Sequence, residues 1–128
     1  MPYNIEWKNR IVVFDYSGIV TSQDILRSNQ EAYGDMRFDQ IHWEVVLFDS
    51  VERIEFLEKD VKKIAYLDMA AYRTNPNITV VFVGDSEIVR ELFELYESIV
   101  QDRSWPAVLV ENRRDVWREI GELSGNPS

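Results

Sequence analysis

The sequence predicts an α/β domain in which an N-terminal β-hairpin leads into a mainly parallel sheet of four or five strands, with about four helices in the order ββαβαβαβα. Three observations carry this. Apolar, strand-like runs alternate with segments of helical periodicity along nearly the whole chain. Several helix ends are marked by capping residues, glycine or proline. The run at residues 78–83 is almost wholly apolar, as expected of a strand covered on both faces.

Residues 4–7 and 10–16 read as two strands around a tight Lys8-Asn9 turn, where asparagine tolerates positive φ. Ser17-Gly18 is expected to break the second strand. Thr21-Ser22-Gln23-Asp24 has the form of a capping box, with Thr21 as N-cap and Asp24 three residues on. Ile25, Leu26, Ala32 and Tyr33 follow at helical spacing, which predicts a helix over 22–33 that Gly34-Asp35 ends. Residues 42–49 are rich in β-formers and predict a buried central strand.

Val61, Ile64, Ala65, Leu67, Ala71 and Tyr72 predict an amphipathic helix over 58–74. Asn75-Pro76-Asn77 stops it, because the residue before proline disfavours the α region. After the strand at 78–83, Gly84-Asp85-Ser86 opens a helix over 87–101. A short strand at 107–110 follows, and Asn112 opens a last helix through Val116, Trp117, Ile120 and Leu123. There is no internal repeat and no linker. One domain over residues 1–124 is expected, with 125–128 as a disordered tail.

Composition narrows the function classes. Fourteen basic against 23 acidic side chains leave a net charge of −9. Such a field repels phosphate backbones and anionic bilayers, so nucleic acid and membrane insertion are not expected. Zero cysteines exclude disulfides, thiolate metal sites and cysteine nucleophiles. The first residues carry no basic and apolar signal-peptide regions, and a cytoplasmic protein is expected.

The pattern resembles the SpoIIAA-like family, relatives of the STAS domains. The matching pieces are Tyr16-Ser17-Gly18-x-Val20-Thr21, the strand end Phe48-Asp49, the stretch Asp68-x-Ala70-Ala71-x-Arg73-x-Asn75-Pro76, and the strand Val80-Val81-Phe82-Val83. The resemblance runs from Tyr3 to about Leu123 and implies a mostly parallel sheet flanked by helices. For this subgroup it implies no established enzymatic activity. STAS domains commonly act as protein-interaction switches with a phosphorylatable serine at the start of a helix. The corresponding turn here is Phe56-Leu57-Glu58-Lys59-Asp60, which has no hydroxyl, so the phosphorylation switch is not expected.

Ligands of open α/β sheets bind beyond the carboxyl ends of the strands. Ser17, Asp49 and Asp85 are expected along that edge, where converging carboxylates suit a hard cation such as Mg²⁺. The plainer reading makes Asp85 a helix cap and Asp49 a strand-end acceptor. A receiver-like phosphoacceptor site would need a late lysine, and none follows Lys63. His42, the lone histidine, sits at the start of its strand, the end opposite Ser17 and Ser50, so no catalytic triad and no histidine metal site are expected.

Asp68 lies at the edge of a buried stripe and needs a partner, for which Arg73 or a backbone donor is the expectation. It reads either as a structural contact or as a ligand-orienting group. The helix over 87–101 carries two apolar sets, of which Val89, Phe93, Tyr96 and Val100 are candidates for a partner or self-association interface. The alternative is a thick core covered by Trp105 and Trp117. The leading functional expectation is a non-catalytic regulatory or protein-binding module without a cofactor. The alternatives are a carrier of a small apolar or lipid-like ligand and a Mg²⁺-dependent enzyme. The first follows the resemblance of the family's architecture to CRAL-TRIO domains, with Tyr66, Tyr72, Phe82 and Phe93 lining a pocket.

Overall fold

The structure, a computed structural model, describes residues 2–124. The expected tail at 125–128 lies outside them. The chain runs β1 (Tyr3–Lys8), β2 (Ile11–Thr21), α1 (Ser22–Tyr33), a short 3-10 turn (Met36–Gln40), β3 (Trp43–Glu55), α2 (Glu58–Thr74), β4 (Thr79–Val83), α3 (Glu87–Val100), β5 (Ala107–Val110) and α4 (Arg113–Ser124).

The five strands lie side by side in sequence order. β1 pairs antiparallel with β2 through the Asn9 turn, where Asn9 has φ 53°. The other three pairings are parallel. This order decides where the helices go. Three successive crossovers step the same way across the sheet, and right-handed connections put all three on one face. Accordingly α1, α2 and α3 cover one side, over a core that includes Phe14, Tyr16, Val46, Phe48 and Val80. α4 follows the last strand and lies alone on the other side, where Val116 packs on Trp43, Val45, Leu47, Val81 and Val83.

Local signals set the element ends. The Thr21 hydroxyl accepts from the Asp24 amide at 3.2 Å, and Asp24 accepts from the Thr21 amide at 2.9 Å, closing the capping box. Asn112 accepts from the Asp115 amide at 3.3 Å at the start of α4. Asn75, at the end of α2, donates to the carbonyls of Phe38 and Ile41, and its own carbonyl accepts from the indole of Trp105. One buried residue, through its side chain and its main-chain carbonyl, thereby ties the 3-10 turn, α2 and the approach to β5 together.

Two strand ends differ from the sequence expectation. Ser17-Gly18 does not break β2, and β3 does not stop at Asp49. Both strands run on together, pairing Ser17 with Ser50 and Thr21 with Glu55. Register shifts between Asp15 and Ser17 and between Gly18 and Ile19 each leave one extra residue on β3. These are β-bulges, which bend a strand without ending it. On β2, opposite the second bulge, Gly18 has φ +70°, which glycine adopts without strain. Local composition announced a break, and ladder pairing overrode it.

Candidate functional site

The carboxyl edge does not gather the expected set. Because β2 and β3 continue, Ser17 and Asp49 sit within strands rather than at their ends. Asp49 is engaged by Arg113 at the start of α4, which donates to it at 2.7 Å, to Asp15 at 3.0 Å and to Ser50 at 3.4 Å. The acidic pair of neighbouring strands is thus bridged by a guanidinium. Asp85 is exposed, and Ser86 rather than Asp85 caps α3, accepting from the Val89 amide at 3.3 Å. Among the described residues no cluster of three carboxylates or histidines forms a metal site. His42 is exposed and lies 3.2 Å from Arg10.

The start of α2 contains a hydroxyl that its own turn lacks. Ser22, the first residue of α1, accepts from the Leu57 amide at 3.2 Å and donates to Asp60 at 2.8 Å. Gln23 donates to the other Asp60 oxygen at 3.0 Å. Leu57 makes no side-chain cap, so Ser22 supplies the missing acceptor across the helix pair. Ser22 and Asp60 are both buried, which leaves this hydroxyl enclosed. Two exposed apolar side chains lie near this end in the chain, Ile19 of β2 at 49% and Leu57 at 56%. Both stand at the end of the extended β2–β3 ladder where α1 and α2 begin.

Behind that end lies a buried polar cluster. Asp68 of α2 accepts from Asn29 at 3.3 Å and Tyr33 at 2.8 Å, both on α1, and from Tyr96 of α3 at 2.5 Å. Arg73 is not its partner: that side chain is exposed on the far side of the helix. Three neutral donors hold the carboxylate, and one helix residue thereby links all three helices of this face. Glu44, the second residue of β3, faces the same cluster and is only 2% exposed.

The electrostatics follow from burial. Desolvation raises the Asp68 pKa to about 6, against the lowering effect of its hydrogen bonds from Tyr96, Tyr33 and Asn29. Desolvation and the nearby Asp68 charge push Glu44 well above the ordinary carboxyl range. Tyr33 and Tyr96 are raised by burial first and by Asp68 second. Beside them Tyr16 and Ser28 share a short hydrogen bond.

Sequence reasoning found Asp68 but missed Glu44, Tyr33 and Asn29. The available signal was a single acid inside the otherwise apolar run from Trp43 to Phe48. A charge there has no route to solvent from a strand covered on both faces.

The cavity next to this cluster is about 30 Å³, between Tyr16, Ile25, Phe48, Ile64, Phe82 and Leu92 among others. That holds a water or two, not a lipid chain. Tyr66, expected to line a pocket, is 58% exposed on the outer side of α2, and Phe93 packs edge-to-face on Phe82.

The proposed α3 interface is also corrected. Val89, Tyr96 and Val100 are buried in the core, and Phe93 is half-buried. Trp105 does close that core, packed edge-to-face on Tyr33 and Phe38. Trp117 does not: it is exposed on α4, on the opposite side of the sheet. The helix is wider in its apolar arc because it is wedged between the sheet and α2. No helix among the described residues is long and apolar enough to cross a membrane.

Comparison by sequence gives no matching family model and no matching curated protein. Comparison of structures does. The anti-sigma factor antagonist SpoIIAA in its unphosphorylated form aligns over 96% of this chain and 98% of its own, with TM-score 0.61 and 10% identity. The Bacillus cell fate determinant SpoIIAA in its phosphorylated form aligns over 91% of this chain and 98% of its own, with TM-score 0.57 and 13% identity. An uncharacterized protein with a SpoIIAA-like fold from Shewanella loihica aligns over 91% and 90%, with TM-score 0.47 and 13% identity. The hairpin, the sequential sheet and the three helices on one face therefore form the SpoIIAA-like, STAS-like fold.

Proposed function

We propose that residues 1–124 form a non-catalytic regulatory module that binds a protein partner at the carboxyl end of the β2–β3 ladder. The observation that carries this reading is the pair Ile19 and Leu57. Two apolar side chains about half exposed stand at one end of the fold, where α1 and α2 begin. Apolar groups flanked by polar ones are what a small docking surface presents. The likeness to SpoIIAA, an anti-sigma factor antagonist, supports the same class of role. A phosphorylated form of SpoIIAA is known. In this chain the turn before α2 has no hydroxyl of its own, and Ser22 is enclosed, so regulation here does not run through phosphorylation of that turn. The small core cavity argues against carriage of a lipid-like ligand, and the Arg113 bridge argues against Asp49 as a Mg²⁺ ligand.

Photo-crosslinking in producing cells tests the reading. A crosslinking side chain placed at 19 or 57 should yield one discrete adduct that is not a doubled chain. The same group at exposed Met36 should not. Equal yields at all three positions, or no adduct at 19 and 57, would overturn it.

A further inference from the structure

The outer surface of the three-helix layer is divided by charge. On α2 the buried positions Asp60, Val61, Ile64, Ala65, Asp68 and Ala71 set the inward direction. At 100° per residue the opposite side carries Lys59, Lys62, Lys63, Tyr66 and Arg73, all exposed. Three of the chain's four lysines stand in this stripe, on a protein of net charge −9. On α3 the inward positions are Val89, Leu92, Tyr96 and Val100. Opposite them lie exposed Glu87, Glu91 and Glu94. Among the described residues none of these charges is in a salt bridge. The two stripes are neighbours, because α2 and α3 pack against each other and run parallel, as successive crossovers of a parallel sheet must.

We propose that this face binds a second copy of the chain, with the basic α2 stripe of each copy lying on the acidic α3 stripe of the other. A two-fold axis lying in the interface, between and along the two helices, places α2 over the partner's α3 and α3 over the partner's α2 at once. The contact is therefore self-complementary, as a closed dimer requires. This geometry also separates a second copy from an unrelated acidic partner. A uniformly acidic surface laid on α2 would press against the α3 glutamates one helix spacing away, about 10 Å. A second copy satisfies both stripes. Tyr66, 58% exposed at the centre of the basic stripe, supplies apolar contact between the charged rows. The face is about 25 Å long and two helices wide, the size class of weak, reversible interfaces.

Sedimentation velocity of the full chain over a concentration series tests it. The wild type should show a monomer–dimer equilibrium whose dissociation constant rises with salt. Lys62→Glu/Lys63→Glu should weaken the dimer by roughly tenfold or more, and so should Glu91→Lys/Glu94→Lys. Mixing the two variants should restore a heterodimer, since each reversed stripe then meets its reversed complement. Near-ultraviolet circular dichroism shows whether each variant is folded, and Lys62→Gln/Lys63→Gln replaces a variant that is not. A wild type monomeric at every concentration, a dimer indifferent to both reversals, or folded variants that stay apart on mixing would each overturn the proposal.

Discussion

Glu44 and Asp68 share one phenol: the Tyr33 oxygen is 3.0 Å from Glu44 Oε1 and 2.8 Å from Asp68 Oδ1. A phenol has a single proton, so both contacts are satisfied only when one carboxyl carries a proton of its own. Asp68 has two further donors, Asn29 and Tyr96, whereas Tyr33 is the one side-chain partner of Glu44 among the described residues, so Glu44 is the protonated one. It donates to Tyr33, and Tyr33 donates to Asp68. A strand, α1 and α2 are joined by this chain of hydrogen bonds, and Tyr96 adds α3.

The first prediction concerns pH. Both carboxyls titrate higher in the folded chain than in the unfolded one, so the folded state holds more protons once the pH exceeds the ordinary carboxyl range. Stability from these groups is complete below about pH 4. It declines as pH rises, for Asp68 through about pH 6, and Glu44, raised by the same burial, adds to the decline. The Asp68 shift corresponds to a cost on the order of 3 kcal/mol at neutral pH. Urea unfolding at pH 5 and pH 7.5 should give a slope that flattens in Glu44→Gln. An unchanged slope would refute the assignment.

Glu44→Gln should also stabilise the chain at pH 7.5. An amide reproduces the donating acid without the pull toward ionisation, and its second oxygen-sized group fills the same space. The measurement is the urea midpoint, expected to rise.

Tyr33→Phe should do the opposite. Removing the hydroxyl leaves Glu44 buried without a partner and Asp68 with two donors rather than three. A loss of about 1–3 kcal/mol is expected, with the pH dependence steeper than in the wild type.

Gly18→Ala tests the left-handed backbone that faces the second bulge. Nothing lies within 4 Å of where its Cβ would stand, so any cost is that of the backbone at φ +70° alone. About 1 kcal/mol of lost stability is expected, and Gly18→Asn should lose less because asparagine tolerates this region better.

Ser22→Ala removes an acceptor for the Leu57 amide and a donor to Asp60 together. Both partners are left in a buried junction, and about 1–3 kcal/mol should be lost in thermal or urea unfolding. A neutral result would mean that water replaces the hydroxyl.

Much of the fold was legible because its signals are local. The capping box at Thr21, the helix stop at Asn75-Pro76 and the apolar strand before Gly84 each depend on residues a few positions apart. The 3-10 turn at Met36–Gln40 was missed, since it is held by Asn75 far along the chain. The site was less legible for the same reason. Asp68 stood out against its own helix, whereas its donors come from α1 and α3. Arg73 was the natural choice by proximity in sequence, but it is five residues on and faces outward.

By itself the sequence determined the order of the strands and α-helices along the chain, whereas the side-by-side order of the strands, and with it the face on which three helices pack, came from the tertiary structure. Periodicity and capping are properties of neighbouring residues, and neighbours are what a sequence records directly. Tertiary structure alone decided that β2 and β3 run past their glycine and aspartate, that Ser22 completes the start of another helix, and that Glu44 and Asp68 meet at one phenol. Each of these depends on groups brought together by packing, where a ladder hydrogen bond or the desolvation of a carboxyl outweighs any local preference.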